Sequence, residues 1–345
     1  MDNHTSNREM TVLVTGGSGF LGGHAIAGLL EKGYKVRTTV RNLKREPEVR
    51  TAISHVADTP DALDFFTADL DDDAGWTEAA EGCDYILHSA SPFPKAQPKD
   101  PQDLIVPARE GALRVVKAGL ATGVKRIIMT SSVAAVRGDG GPSRDTPYTE
   151  EDWTDVNAPG LTPYAQSKTI AEQSVWDLVD ESGDSDRVAM VNPSLILGPV
   201  LGNEDSTSLQ VIERMLKGMP AVPKLSFGYV DVRDVAEMHI LAMTSDQAGG
   251  ERFIASGPVL WMDEVAKILR AGLPEAAKKA PTRVLPKPLV RVLALFDPGI
   301  RTFLPDIGKR ALLSAEKAEN KLGWKARPVE ETIVDCGRSL AARNG

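Results

Sequence analysis

The sequence predicts an α/β protein: a doubly wound parallel sheet with a smaller C-terminal substrate lobe. Three observations carry this expectation. Between residue 10 and about residue 190, short apolar runs alternate with helix-length stretches. That is the rhythm of βαβ units, whose crossover helices cover both faces of a parallel sheet. A glycine-rich turn joins the first such run to a helix. Past residue 190 the alternation loosens and prolines multiply, which marks a second, smaller body.

The elements follow in order. Residues 1–9 are polar and read as a loose tail. Thr11–Thr15 (TVLVT) is a short buried strand. A helical stretch runs from about Phe20 to Lys32 and stops at Gly33, a residue suited to the left-handed position that ends helices. Tyr34–Val40, Leu63–Thr67, Tyr85–Ser89 and Arg126–Thr130 are the next four strands, rich in β-branched and apolar side chains. Asp103–Ala121 is a helix between the last two. Phe227–Met243 reads as a strand leading into a helix. Pro281, Pro286, Pro288, Pro298 and Pro305 cut the last hundred residues into short pieces. The apolar stretch Leu289–Phe296, interrupted by Arg291, reads as core of the smaller lobe, with a lid over the substrate or a dimer contact as the alternatives.

Composition narrows the function. At ~150 residues per domain, 345 residues suggest about two domains. An apolar fraction of 42% is enough for a core, and 26% charged residues is ordinary. A net charge of −8 argues against nucleic acid as a partner. No run approaches the ~18 apolar residues of a membrane span, and Met1–Met10 lacks a secretory apolar core. The two cysteines, Cys83 and Cys336, read as reduced thiols. A cytoplasmic protein, monomer or homodimer, is expected. The five histidines form no metal-spaced cluster, so no metal is expected.

Thr15-Gly16-Gly17-Ser18-Gly19-Phe20-Leu21-Gly22 follows a strand and opens a helix. Gly16 permits the tight turn, Gly19 lets backbone N–H groups approach a pyrophosphate, and Gly22 lets helix and strand pack closely. The helix N-terminus favours the anion. Thr15, Gly16, Ser18, Gly19, Phe20, Leu21 and Gly22 are therefore candidate contacts of a dinucleotide. In such sites an acidic residue ~20 positions on holds the ribose 2′-hydroxyl. Here Arg41 stands nineteen positions past Gly22, followed by Lys44 and Arg45, and Lys35 to Arg50 contains six basic and two acidic residues. Guanidinium groups grip phosphate, which points to a 2′-phosphate and hence to NADP(H). Asp69 and the Leu70 N–H, at the end of the third strand, are candidates for the adenine edge. Ser89, Ala90 and Ser91 leave room for a flat cofactor at the sheet edge. The dinucleotide-binding part is expected over 10–190 plus part of 225–255, and the smaller lobe over 191–224 and 256–340.

Tyr164-Ala165-Gln166-Ser167-Lys168 lies near the start of a predicted helix, with Thr162 as N-cap and Pro163 at the first position. Tyr164 and Lys168 are four apart and share a face. A nearby ammonium favours phenolate and lowers the phenol pKa, so the tyrosine can exchange a proton with a carbonyl or alcohol oxygen. Lys168 can also hold ribose hydroxyls. Thr130-Ser131-Ser132 ends the fifth strand, at the edge where open parallel sheets collect ligands, and a serine there can stabilise developing charge.

Taken in this order, Thr15–Gly22, Ser132 and Tyr164-x-x-x-Lys168 resemble the extended short-chain dehydrogenase/reductases. Val36-Arg37-Thr38-Thr39-Val40-Arg41, His88-Ser89-Ala90-Ser91-Pro92 and Tyr164–Ala171 followed by Glu172-Gln173 resemble, within them, dihydroflavonol reductases, cinnamoyl-CoA reductases and microbial carbonyl (aldehyde) reductases. The likeness runs from about residue 10 to about 340 and is densest in the first 200. It implies a Rossmann fold, with Ser132, Tyr164 and Lys168 catalytic. It implies Arg41 on the 2′-phosphate, helped by Lys44 or Arg45. It places Asn192-Pro193-Ser194-Leu195 beside the nicotinamide carboxamide and Ser208 near the cofactor, with Asp231–Val235 structural. Many extended members carry an asparagine where this chain has Ala108-Arg109-Glu110-Gly111, so an asparagine-linked proton relay is not expected.

Pro92, Phe93 and Pro94, with Phe227 and Tyr229 from the other lobe, are candidates for an apolar substrate mouth suited to aryl or alkyl carbonyls. The expected activity is NADPH-dependent reduction of an aldehyde or ketone, reversible as alcohol oxidation. A hydroxysteroid dehydrogenase or nucleotide-sugar epimerase/dehydratase shares the fold and the same three residues. A non-catalytic NADP sensor would typically lack the tyrosine.

Overall fold

The computed structural model describes residues 7–57, 62–92, 98, 100–138, 141, 144–202, 206–296, 301 and 303–343. The chain begins with β1 (Thr11–Thr15), α1 (Phe20–Glu31) and β2 (Lys35–Val40). It continues through α2 (Glu46–Ser54), β3 (Leu63–Thr67), α3 (Trp76–Ala80) and β4 (Tyr85–His88). Then come α4 (Gln102–Ala121), β5 (Arg126–Thr130), α5 (Pro163–Ser182) and β6 (Val188–Pro193). The predicted strands and helices of this half fall within a residue of these bounds. Tyr34 stays outside β2 because its N–H closes the end of α1 on the Leu29 carbonyl. Ser89 leaves β4 because its hydroxyl turns back to the Thr15 carbonyl.

The second half supplies β7 (Leu195–Leu197), α6 (Thr207–Lys217), β8 (Val222–Pro223), β9 (Ser226–Asp231) and α7 (Val232–Thr244). After these come β10 (Glu251–Ala255), β11 (Val259–Trp261), α8 (Met262–Gly272), β12 (Val284–Leu285) and α9 (Lys287–Leu293). The helices α10 (Glu316–Leu322) and α11 (Val329–Arg343) complete the described chain.

Seven strands form one sheet in the order β10-β6-β5-β4-β1-β2-β3, and every neighbouring pair is parallel. Alternate residues serve opposite faces, as a pleated strand requires. Val12, Val14, Leu87, Ile128 and Val191 pack with Ile26 and Leu29 of α1 and Val235 and Met238 of α7. Leu13, Ile86, Ile127, Met129 and Met190 pack with Val115 and Val116 of α4 and Val175 and Val179 of α5. The strand order reverses between β1 and β4, so the crevice at their carboxyl ends is where such sheets receive ligands.

A second sheet, β11-β9-β7, pairs β9 parallel with β7 and antiparallel with β11. Its apolar cluster holds Leu197, Leu209, Tyr229, Leu269 and Ile333. Leu289–Phe296 corrects the expectation of a core segment. Val290 and Ala294 are buried, but Leu295 and Phe296 are 69% and 82% exposed. The helix α9 ends at Leu293, and Leu295 and Phe296 stand in the turn beyond it, clear of the face that Val290 buries. Cys83 and Cys336 are both free and buried. Among the described residues no helix is long and apolar enough to cross a membrane.

Candidate active site

The glycine-rich turn lies against the end of β4. Gly16 has φ +72°, the left-handed region that disfavours side chains, and a Cβ there would sit 3.0 Å from the Ala90 Cα. A Cβ on Gly22 would run into the Gly16 carbonyl oxygen. Gly16→Ala is therefore expected to cost about 1–2 kcal/mol of stability, read as a lower urea midpoint. Gly19 is the N-cap of α1 and offers no side-chain cap. The first-turn N–H groups of Phe20, Leu21 and Gly22 are thus left without intrahelical acceptors. A bare backbone cradle at a positive helix end fits a pyrophosphate.

Side chains join β1 to β4 beneath that turn. Thr15 is wholly buried. Its Oγ1 accepts the Ala90 N–H at 3.1 Å and lies 2.8 Å from His88 Nδ1. A hydroxyl that accepts from Ala90 has its own proton to give to His88. Burial, then the charge of Lys168, pushes His88 down to about 3, so the imidazole is neutral. A pocket opens beside it, lined by Leu70, Ala90, Ser91, Pro92, Thr130 and Lys168.

The basic segment divides by position. Arg45 Nη1 donates to Ser18 Oγ at 3.0 Å, which brings its guanidinium onto the glycine-rich turn. Lys44 is exposed, and its backbone N–H is held by Asn42 Oδ1. Arg41 is exposed at the end of β2. Asp69 is half-buried, with its Oδ1 accepting from the Asp71 N–H. The Leu70 carbonyl is tied to Arg114. Thr130 Oγ1 lies 2.7 Å from His239 Nε2.

The α5 helix begins as its sequence dictates. Thr162 Oγ1 accepts the Ala165 N–H at 3.2 Å, and Pro163 occupies the first turn. Tyr164 is half-buried and Lys168 buried one turn further on. Lys168 Nζ donates to Ser91 Oγ at 3.1 Å, which ties α5 to the end of β4. Burial pulls Lys168 down to about 8, with Glu172 opposing the shift. The two serines after β5 face different ways. Ser131 Oγ donates to Glu172 Oε2 inside the protein. Ser132 caps a 3-10 turn, its Oγ accepting the Ala134 N–H at 3.1 Å, so its own proton remains available.

Pro193 and Ser194 are buried where β6 passes into β7, and Leu195 is half-buried. Among the described residues Ser194 Oγ has no hydrogen-bond partner. Ser208, at the start of α6, lies 2.9 Å from Ser206 through their hydroxyls. Phe227 is half-buried and meets Tyr229 and Phe303 edge-on. Tyr229 is 0% exposed, inside the apolar cluster of the second sheet, so of these two aromatics only Phe227 presents surface. Phe93 and Pro94 lie outside the described residues. Behind the site stands one residue that no motif includes. Arg252, from the distant edge strand β10, donates to Glu172 Oε1 at 2.6 Å, and nothing in its local sequence signals this.

A nucleotide cradle at the switch point of a doubly wound sheet, with a tyrosine, a buried lysine and a serine at the same edge, defines a dinucleotide-binding α/β protein of the oxidoreductase type. Residues 12–255 match the model of the NAD dependent epimerase/dehydratase family. The chain belongs to that family. It is 34% identical to a cinnamoyl-CoA reductase of Medicago truncatula, over 77% of this chain and 82% of that protein. It is 32% identical to an anthocyanidin reductase of Vitis vinifera, over 79% of this chain and 83% of that protein. A crystal structure of the yeast methylglyoxal/isovaleraldehyde reductase complexed with NADPH superposes with a TM-score of 0.80 at 26% identity. That match covers 97% of this chain and 99% of the yeast chain.

Proposed function

We propose that this protein is an NADPH-dependent carbonyl reductase that converts an aldehyde or ketone to its alcohol, reversibly, with Ser132, Tyr164 and Lys168 as its catalytic residues. One observation carries the reading. Tyr164 and a buried Lys168 share one helix face at the sheet edge that bears Ser132 and the glycine-rich turn. The similarity to reductases, including one crystallised with NADPH, supports the same reaction class.

The residues present fit the cofactor. The cradle at Gly16 and Gly22 is one that a Cβ would fill, and Arg45 reaches the same turn through Ser18. When bound, NADPH supplies the hydride that reduces the carbonyl carbon. The chain's own residues handle the oxygen. Tyr164 donates its phenolic proton to it, and Ser132 donates a hydrogen bond to the same atom. The Lys168 ammonium makes the phenol more acidic. The smaller lobe holds the substrate, with Pro92 and Phe227 giving an apolar mouth suited to aryl or alkyl groups.

The test is loss of NADPH absorbance against a panel of aldehydes, aryl ketones, diketones and flavonoid ketones. Turnover of a nucleotide sugar with no net consumption of cofactor would overturn the reading. Within it, Arg45→Ala and Arg41→Ala are each expected to raise KM for NADPH about 10–100-fold, the value of a charge-assisted contact, and to leave KM for NADH nearly unchanged. Equal effects on both cofactors would remove the 2′-phosphate from the account.

A further inference from the structure

We propose that Glu172 is a positioning residue for this site: its carboxylate fixes the backbone that carries Ser132 and sets a negative charge one turn beyond Lys168, on the helix face that bears Tyr164. The inference rests on the carbonyl-reductase reading and extends it to a residue behind the reacting groups.

Tyr164, Lys168 and Glu172 follow one another at intervals of four along α5, so they form one stripe. Glu172 is wholly buried, and three strands converge on it. From β10, Arg252 Nε donates to Oε1 at 2.6 Å. From β6, Asn192 Nδ2 donates to Oε2 at 2.8 Å. From the end of β5, Ser131 Oγ donates to the same oxygen. Asn192 Nδ2 also reaches the Ser132 carbonyl oxygen at 3.2 Å. Ser132 is therefore held from both sides, through Ser131 before it and Asn192 beneath it.

A buried ion pair is seldom retained for stability alone, since apolar residues of the same volume serve as well or better. Arg252 is itself heavily committed. Its Nη1 donates to the Glu150 and Asp152 carbonyl oxygens, and its guanidinium lies 3.6 Å from the Trp153 ring centroid. The guanidinium is thereby pinned, and with it the carboxylate.

Among the described residues the other neighbours of Lys168 carry no compensating charge. His88 from β4 is neutral, Ser91 is a hydroxyl, and α4 presents Ala108 and Ala112 at the pocket. Glu172 is the group that opposes the loss of the Lys168 proton on burial.

The experiment follows Lys168 by NMR of protein labelled at lysine Cε, the resonance being assigned by its absence from Lys168→Arg. No turnover is needed, so the result stands apart from the activity reading. In Glu172→Gln, of nearly unchanged shape, the Lys168 midpoint is expected to move down by about one pH unit. In NADPH-coupled assays kcat is expected to fall about tenfold or more, while KM for NADPH changes little. Ser131→Ala, which leaves the ion pair in place, is expected to lower kcat several-fold with the Lys168 midpoint unmoved. A folded Glu172→Gln protein with the wild-type midpoint overturns the proposal. Should that variant fail to fold, wild-type kcat in Ser131→Ala overturns it. Wild-type protein inert towards every carbonyl, by contrast, sinks the reductase reading and leaves the titration to decide the charge.

Discussion

Tyr164→Phe is expected to lower kcat for carbonyl reduction by about 100-fold or more, with KM for NADPH moved by no more than about twofold. The substitution removes only the phenolic oxygen. The ring stays half-buried on the first turn of α5, and the N-cap hydrogen bond from Ala165 to Thr162 is untouched. The cofactor contacts proposed for the glycine-rich turn and Arg45 lie on other elements, so binding is expected to persist while proton transfer is lost. Steady-state kinetics beside far-ultraviolet circular dichroism would separate the two. A folded phenylalanine variant that keeps wild-type kcat would remove Tyr164 from the mechanism, and with it the assignment of the site.

Lys168 should give the second largest effect, with a pH signature. Burial lowers its pKa from the usual lysine range to about 8. Below that pH the ammonium is present and keeps the phenol acidic. As pH rises through about 8 the charge is lost, Tyr164 becomes a weaker acid, and kcat for reduction should fall. Lys168→Met, which fills the buried space without charge, is expected to lose about 100-fold in kcat and to abolish that limb of the pH profile. A methionine variant that retains the limb would show that another group titrates there.

Much of the fold was legible because it is written in local spacing. The run Thr11–Thr15, the glycines at 16, 19 and 22, and the cap at Thr162 each specify their geometry over a few residues. The candidate catalytic tyrosine and lysine were legible for the same reason, being four apart on one helix. Less was legible where a residue acts through the other side of the molecule. The two serines at the end of β5 are chemically identical, and only packing sends Ser131 inward to Glu172 and leaves Ser132 at the edge. Lys44 and Arg45 are both basic, and only the path of the chain after β2 brings Arg45 to Ser18. Tyr229 has the composition of a mouth residue, yet β9 turns it into the core. Phe296 has the composition of a core residue, yet it stands in the turn after α9 and is left in solvent.

By itself, then, the sequence determined the α/β class, the glycine-rich turn and the shared helix face of Tyr164 and Lys168, because helix pitch, strand pleat and glycine backbone freedom act between neighbours in the chain. Tertiary structure alone decided that β10 would close the seven-stranded sheet and carry Arg252 to Glu172. Eighty positions separate those two residues, and no local pattern encodes such a meeting. It follows from burying both faces of one sheet at once, which forces every polar group carried inward to find its partner there.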